Sequence, residues 1–310
     1  MVQEKIFKSK SLFHLTGISL TMSTNNWLTT WIGLEMTLMG FLPMITPNHT
    51  SVEGMIKYFL IQAGGSSLFL LSFLMLWKNT HMLTPLSMML KLGVFPFHQW
   101  VPAVMSSLSW TSCIILTTLQ KIAPMMILMN LNTSLSSTLL IMMMSAQSIY
   151  IGGQLGYNQL MMRPFMAYSS ISHTGWMTLT TTQSINLCLM YMAVYFLMNY
   201  ITLMNLKKIN MNKTMSNKIK KESSINMMML IMTGIPPSPM FFMKMMIISN
   251  LFHQPLILLI ALTGSILSYY FYLTFIIPNL MKKSTNSFTT KNSNISMTSI
   301  CMMTTLLMLI

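Results

Sequence analysis

The 310-residue chain contains no aspartate, four glutamates and a single arginine, and charged residues make up only 7% of it. A soluble domain carries about 25% charged residues, so this composition cannot dress a water-facing surface. Cysteine is also scarce. Cys113, Cys188 and Cys301 stand apart without CxxC spacing, which argues against a disulfide framework and against an iron–sulfur or zinc motif. They read as buried or lipid-facing fillers. No GxGxxG after a strand, no Walker loop and no HExxH is present, so nothing points to a dinucleotide site, an ATPase or a catalytic metal. The glycine-rich GGQLG at 152–156 reads as a loop. The opening MVQEKIFKSK is followed by neither a small-residue cleavage site nor an Arg-rich segment, so no removable targeting peptide is expected.

Apolar residues fill the chain instead: 53% of it is hydrophobic and its mean hydropathy is +0.59. Lipid is the solvent this composition suits, with roughly 20 apolar residues needed for each helical span. A window of that length predicts an all-α integral membrane protein with about 11 transmembrane helices, near 8–25, 27–46, 55–77, 82–104, 110–130, 135–152, 165–182, 186–206, 225–248, 255–279 and 294–310. The connections are short and rich in Asn, Ser, Thr, Pro and Lys. The one sizeable connection, 207–224, is a basic linker rather than a domain, and residues 1–310 form one polytopic membrane domain.

Cations concentrate on the side from which a membrane protein is inserted. With eleven spans, fourteen of the eighteen Lys and Arg residues fall on one side, in the connections around Lys5, Lys57, Arg163, Lys207–Lys221 and Lys282. Only Lys78 falls on the other. The N-terminus is therefore expected on the insertion side and the C-terminus opposite. The net charge of +14 is interfacial on this reading, each cation near anionic lipid being worth ~1 kcal/mol. A nucleic-acid partner is not expected, because no soluble fold underlies a basic stripe.

Three lysines remain inside spans, together with one carboxylate. Glu35 lies within WIGLEMTLMGFLPMI (31–45), Lys91 and Lys121 near mid-span, and Lys244 nearer the end of its segment, where a long side chain can snorkel to the interface. A charge at a helix centre costs roughly 2.5–3.5 kcal/mol on insertion scales, so something must compensate. A fixed Glu35–Lys91 ion pair that only orders the bundle is one reading. A proton path is the other, and the unmatched Lys121 favours it. Helix breakers accompany the lysines: Gly93 and Pro96 in MLKLGVFPFHQWVP (89–102), and Gly234, Pro236, Pro237 and Pro239 in TGIPPSPMFFMK (233–244). Interrupted helices in corresponding places of two halves mark inverted-repeat transporters, whereas a single break is as well read as a proline kink. His98 and His173 suit either proton relay or helix packing. His14, His49, His81 and His253, near span ends or in loops, lack ligand spacing, so no metal is expected.

WIGLEMTLMGFLPMI, EGMIKYFLIQA, KLGVFPFHQWVP, LQKIAP, AYSSISHTGW and TGIPPSPMFFMK, in that order, resemble the antiporter-like subunit 2 family of mitochondrial NADH:ubiquinone oxidoreductase, respiratory complex I. The likeness covers about 27–248 well. It implies two inverted repeats, approximately 8–130 and 135–279, each with a broken helix, followed by a final helix at 294–310. It implies proton translocation through Glu35, Lys91, Lys121 and Lys244, coupled to electron transfer from NADH to ubiquinone elsewhere in the complex. No cofactor is implied on this chain; NAD, FMN, iron–sulfur clusters and ubiquinone belong to the whole assembly. Its partners would be other membrane-arm subunits and inner-membrane lipids, in the mitochondrial inner membrane, with the N-terminus in the matrix and the C-terminus in the intermembrane space. Forty methionines, seventeen lysines to one arginine and the missing aspartate resemble an AT-rich animal mitochondrial gene. Ala103 and Pro164 depart from the residues common in that family.

Overall fold

The computed structural model describes residues 2–24, 26–45, 49–74, 82–131, 134–209, 222–236 and 238–284. The predicted helix at 294–310, Lys78 and most of the basic linker, 210–221, lie outside the described residues. The elements are all helical: α1 (Val2–Ser23), α2 (Trp27–Phe41), α3 (His49–Leu74), α4 (Leu83–Leu92), α5 (Trp100–Ser107), α6 (Trp110–Thr117), α7 (Leu119–Asn130), α8 (Leu135–Gly156), α9 (Met162–Thr181), α10 (Ile185–Ile209), α11 (Glu222–Thr233), α12 (Pro239–Asn250) and α13 (Pro255–Ser284). Among the described residues no strand forms, and five helical stretches are long and apolar enough to cross a membrane. They are Ser51–Leu74, Trp110–Asn130, Leu135–Gly156, Ile185–Ile209 and Pro255–Pro278.

Small residues set the helix contacts, since lipid offers no hydrophobic drive and close backbone approach must replace it. At the α1–α2 crossing a Cβ on Gly17 would come within 2.8 Å of the Thr37 amide nitrogen, and one on Gly40 within 2.8 Å of the His14 backbone. GGQLG is not a loop: α8 runs through it to Gly156. Its adjacent glycines face different neighbours. A Cβ on Gly152 would strike Ser172 of α9 at 2.8 Å, and one on Gly153 would strike Ser268 of α13 at the same distance. Glycine here permits contact on two sides, which in a bilayer outweighs its poor helix propensity.

α9 is the innermost helix. Serines, threonines, a histidine and a tryptophan fill it, yet nearly all of it is buried between α5, α8, α10 and α12. Its hydroxyls remain satisfied because each returns to a carbonyl of the preceding turn: Ser169 to Met166 at 2.7 Å, Ser172 to Ser169 at 2.8 Å, Thr174 to Ile171 at 2.8 Å. A polar helix can therefore sit dry at the centre.

Three segments predicted as single spans are interrupted. α4 ends in a Schellman-type turn, with Gly93 at φ 69°, its N–H on the Leu90 carbonyl at 3.2 Å and the Val94 N–H on the Met89 carbonyl at 3.0 Å. α11 ends at Gly234, φ 85°, and the chain restarts at α12, where the Ser238 hydroxyl caps the Phe241 N–H at 3.3 Å with Pro239 in the first turn. The third break, at Thr118 (φ −117°, ψ −79°) between α6 and α7, was not anticipated. Pro124 lies nearly two turns further on and leaves the Gln120 carbonyl without its helical donor.

Gly264→Leu should force α8 and α13 apart, because a Cβ there already lies 2.7 Å from the Tyr150 backbone, and the expected cost is about 1–3 kcal/mol. Gly64→Ala, where a Cβ meets open space, should cost nothing. Thermal unfolding in detergent would show this as a lowered midpoint for the first variant only.

Candidate functional site

The breaks create the need that the site fills. A helix that stops inside a bilayer leaves carbonyls with no intrahelical donor, and protein groups or enclosed water must replace it. At the α4–α5 break, Gln62 of α3 donates its amide to the Lys91 carbonyl at 3.1 Å, and the Trp100 indole N–H donates to the Leu90 carbonyl at 3.2 Å. At the α11–α12 break the donor is Lys244 itself, whose Nζ lies 2.9 Å from the Thr233 carbonyl. Lys244 is 8% exposed and does not snorkel to an interface. Because α12 restarts after the prolines, the side chain reaches back into the break, over the Trp176 ring at 5.9 Å.

Lys91 and Lys121 are equally buried, at 6% and 7% exposure. Lys91 rests its stem on Gly65 of α3, where a Cβ would come within 2.8 Å of its Cγ. Glu35, half-buried on α2, acts on Lys91 through space rather than in a hydrogen-bonded ion pair. That arrangement weakens the fixed-pair reading. Lys121 donates to the Ser170 carbonyl of α9 and to the Tyr195 hydroxyl of α10, both at 3.3 Å, with Nζ 4.9 Å from the centre of the Tyr195 ring. The ring face adds cation–π attraction to the two hydrogen bonds.

Between the two lysines lies a narrow cavity of about 10 Å³, lined by Gln62, Lys91, Thr117, Gln120, Lys121 and Ser170 among others. That is room for about one water, and the lining carries enough polar atoms to hold it. Asn199 of α10 donates to the Thr117 hydroxyl at 2.7 Å, tying α10 to the unwound α6–α7 junction.

His173 continues the line. Its Nδ1 and the Tyr191 hydroxyl are 2.9 Å apart, its ring centre is 5.1 Å from that of Tyr195, and it lies within electrostatic reach of both Lys121 and Lys244. Ser170, His173 and Trp176 succeed one another at three-residue spacing along one face of α9, so a single helix touches Lys121 at one end and Lys244 at the other. Of the four expected residues, Lys91 and Lys121 share one cavity, Lys121 and Lys244 both lie within electrostatic reach of His173, and Glu35 stands on α2 within reach of Lys91. Sequence reasoning missed Tyr191, Tyr195 and Asn199. Their four-residue spacing along the apolar α10 is the signal that could have revealed them. His14 departs from its expected place, being buried in the middle of α1 rather than lying near an end. His98 is buried within the α4–α5 break with its Nδ1 unpartnered. Among the described residues no group of metal-binding side chains gathers.

Residues 24–269 match the NADH:quinone oxidoreductase/Mrp antiporter transmembrane family. NADH-ubiquinone oxidoreductase chain 2 of Lumbricus terrestris is 38% identical over 284 residues, covering 84% of this chain and 83% of that protein. The protein of the same name from Locusta migratoria is 37% identical over 279 residues, covering 84% and 81%. Among solved structures, a chain of respiratory complex I from Thermus thermophilus superposes with a TM-score of 0.80 at 22% identity, over 88% of this chain and 70% of that one. A chain of the membrane-bound sulfane sulfur reductase, an archaeal respiratory membrane complex, gives 0.79 at 16% identity, over 96% and 70%. The structural likenesses show a common fold, and the sequence matches carry the assignment: this chain belongs to the NADH:quinone oxidoreductase/Mrp antiporter family, among its NADH-ubiquinone oxidoreductase chain 2 members.

Proposed function

We propose that this chain is a proton-translocating membrane-arm subunit of NADH:ubiquinone oxidoreductase in the mitochondrial inner membrane. Protons pass along a mid-membrane line from Lys91 through the small cavity to Lys121, and by way of His173 to Lys244, with Glu35 modulating the charge on Lys91. The observation that carries the reading is the burial of three lysines, each beside a helix break, with a polar cavity between the first two and His173 in reach of the last two. A purely architectural bundle has no use for three ammonium groups in lipid, each costing roughly 2.5–3.5 kcal/mol to insert.

The chemistry is proton exchange. An ammonium at Lys91 gives its proton to water in the cavity, Lys121 takes it up, and a change in nearby charge decides which lysine holds it. Lysine suits this role where arginine does not, since its amine can release a proton. The Ser170 carbonyl accepts from Lys121 and the Thr233 carbonyl from Lys244, so each amine is held in place while it exchanges its proton.

The same reading takes the chain as two inverted repeats of about 8–130 and 135–279, eleven spans in all, with the N-terminus in the matrix and a final helix at 294–310 ending in the intermembrane space. The breaks at Gly93 and Gly234 would be equivalent positions of the two repeats. NADH oxidation and ubiquinone reduction take place on other subunits, and this chain carries no redox group. Other membrane-arm subunits and inner-membrane lipids are its neighbours.

Lys121→Met should lower the number of protons moved per NADH oxidised in sealed vesicles by a clear fraction, with much of the redox turnover kept. An unchanged ratio defeats the relay. Lys121→Arg should fail to restore the ratio, because a guanidinium cannot release its proton; full activity of that variant would mean that a fixed charge suffices. Tyr195→Phe, which removes one acceptor and keeps the ring, should reduce the ratio less than Lys121→Met does.

A further inference from the structure

Gln120, which lines the cavity between Lys91 and Lys121, lies beside a titratable group that the relay does not use. His14 on α1 is 1% exposed. Its ring sits close enough to the Gln120 side chain to interact, and its Nε2 has no hydrogen-bond partner. The position is fixed from both sides. Gly40 of α2 touches the His14 backbone, with no room for a Cβ, and Gln120 is anchored by donating its amide to the Thr37 carbonyl at 3.3 Å. A buried ring nitrogen left unpaired is costly, and an aliphatic side chain would fill the same space without that cost. The elements packed on α1 contribute two further ionisable groups, Glu35 on α2 and Lys121 on α7, both already members of the relay.

We propose that His14 is a further proton-carrying residue, exchanging protons with the Lys91–Lys121 cavity across Gln120. The inference rests on the relay proposed above. The extra proton of a charged His14 ring leaves for a water at the Gln120 amide and passes from there to the unprotonated Nζ of Lys121. The imidazole returns to its neutral form and no electron changes hands. α1 thereby supplies a second way into the cavity, beside the one through Lys91.

The test compares the intact complex in sealed vesicles carrying His14→Asn, His14→Leu or Gln120→Leu with vesicles carrying Lys121→Met. His14→Asn keeps a polar side chain but cannot titrate. It should lower protons moved per NADH about twofold and remove one titration from the pH profile of that ratio. A packing role would instead be rescued by the asparagine, and a normal ratio with an unchanged pH profile in His14→Asn overturns the proposal. Should substitution at position 14 block assembly, Gln120→Leu decides: it leaves His14 in place but removes the bridging amide, so the same loss is expected and a normal ratio overturns the proposal. A normal ratio in Lys121→Met is the separate outcome that removes the underlying relay. A loss in Lys121→Met alongside normal behaviour of His14→Asn removes only the role of His14.

Discussion

Interrupted helices in a bilayer must find hydrogen-bond donors for their freed carbonyls, and the rest of this site follows from that requirement. Water would fill the need in a soluble protein. Here the donors are side chains: Gln62 at one break, where Trp100 also adds to the Gly93 N–H on the Leu90 carbonyl, and Lys244 at another. A lysine ammonium normally has no place in lipid, yet beside an orphan carbonyl it meets a group with the opposite need. Two costly features placed together thus relieve each other. At the middle break Lys121 uses the carbonyl and hydroxyl of neighbouring helices instead. The breaks and the buried charges are for this reason one structural feature rather than two.

α9 supplies the frame. A helix of Ser, Thr, His and Trp would be an odd choice for a membrane interior if its hydroxyls had to seek partners elsewhere. They bond to their own helix, which leaves the Ser170 carbonyl, the His173 ring and the Trp176 face free to meet Lys121, Tyr191 and Lys244. α8 then grips this helix through Gly152 and Gly175, so the three positions are held in register.

Much of this was legible in the sequence. Glu35, Lys91, Lys121 and Lys244 stand out because charge is so rare in the chain, and Gly93 and Gly234 because glycine before proline stops a helix. The break at Thr118 was not legible, since threonine is tolerated in helices and Pro124 is displaced from the irregular point. Lys244 was misplaced by counting residues along a span, a procedure that assumes an unbroken helix. GGQLG misled because glycine marks turns in water but helix contacts in lipid. Tyr195 and His14 have no charge to set them apart from aromatic and polar packing residues, and only the fold brings each to the cavity or its border.

The Lys244–Thr233 bond has a mechanical side. In the proposed relay one atom, Nζ, both carries a proton and closes the end of α11. A charge-assisted bond is roughly twice as strong as a neutral one, so when the amine is emptied the clasp on that helix end slackens, and when it is refilled the clasp tightens. Chemical occupancy is thereby written into the tautness of the backbone, and a pull on α11 from a neighbouring body would be felt as a change in how willingly the amine keeps its proton.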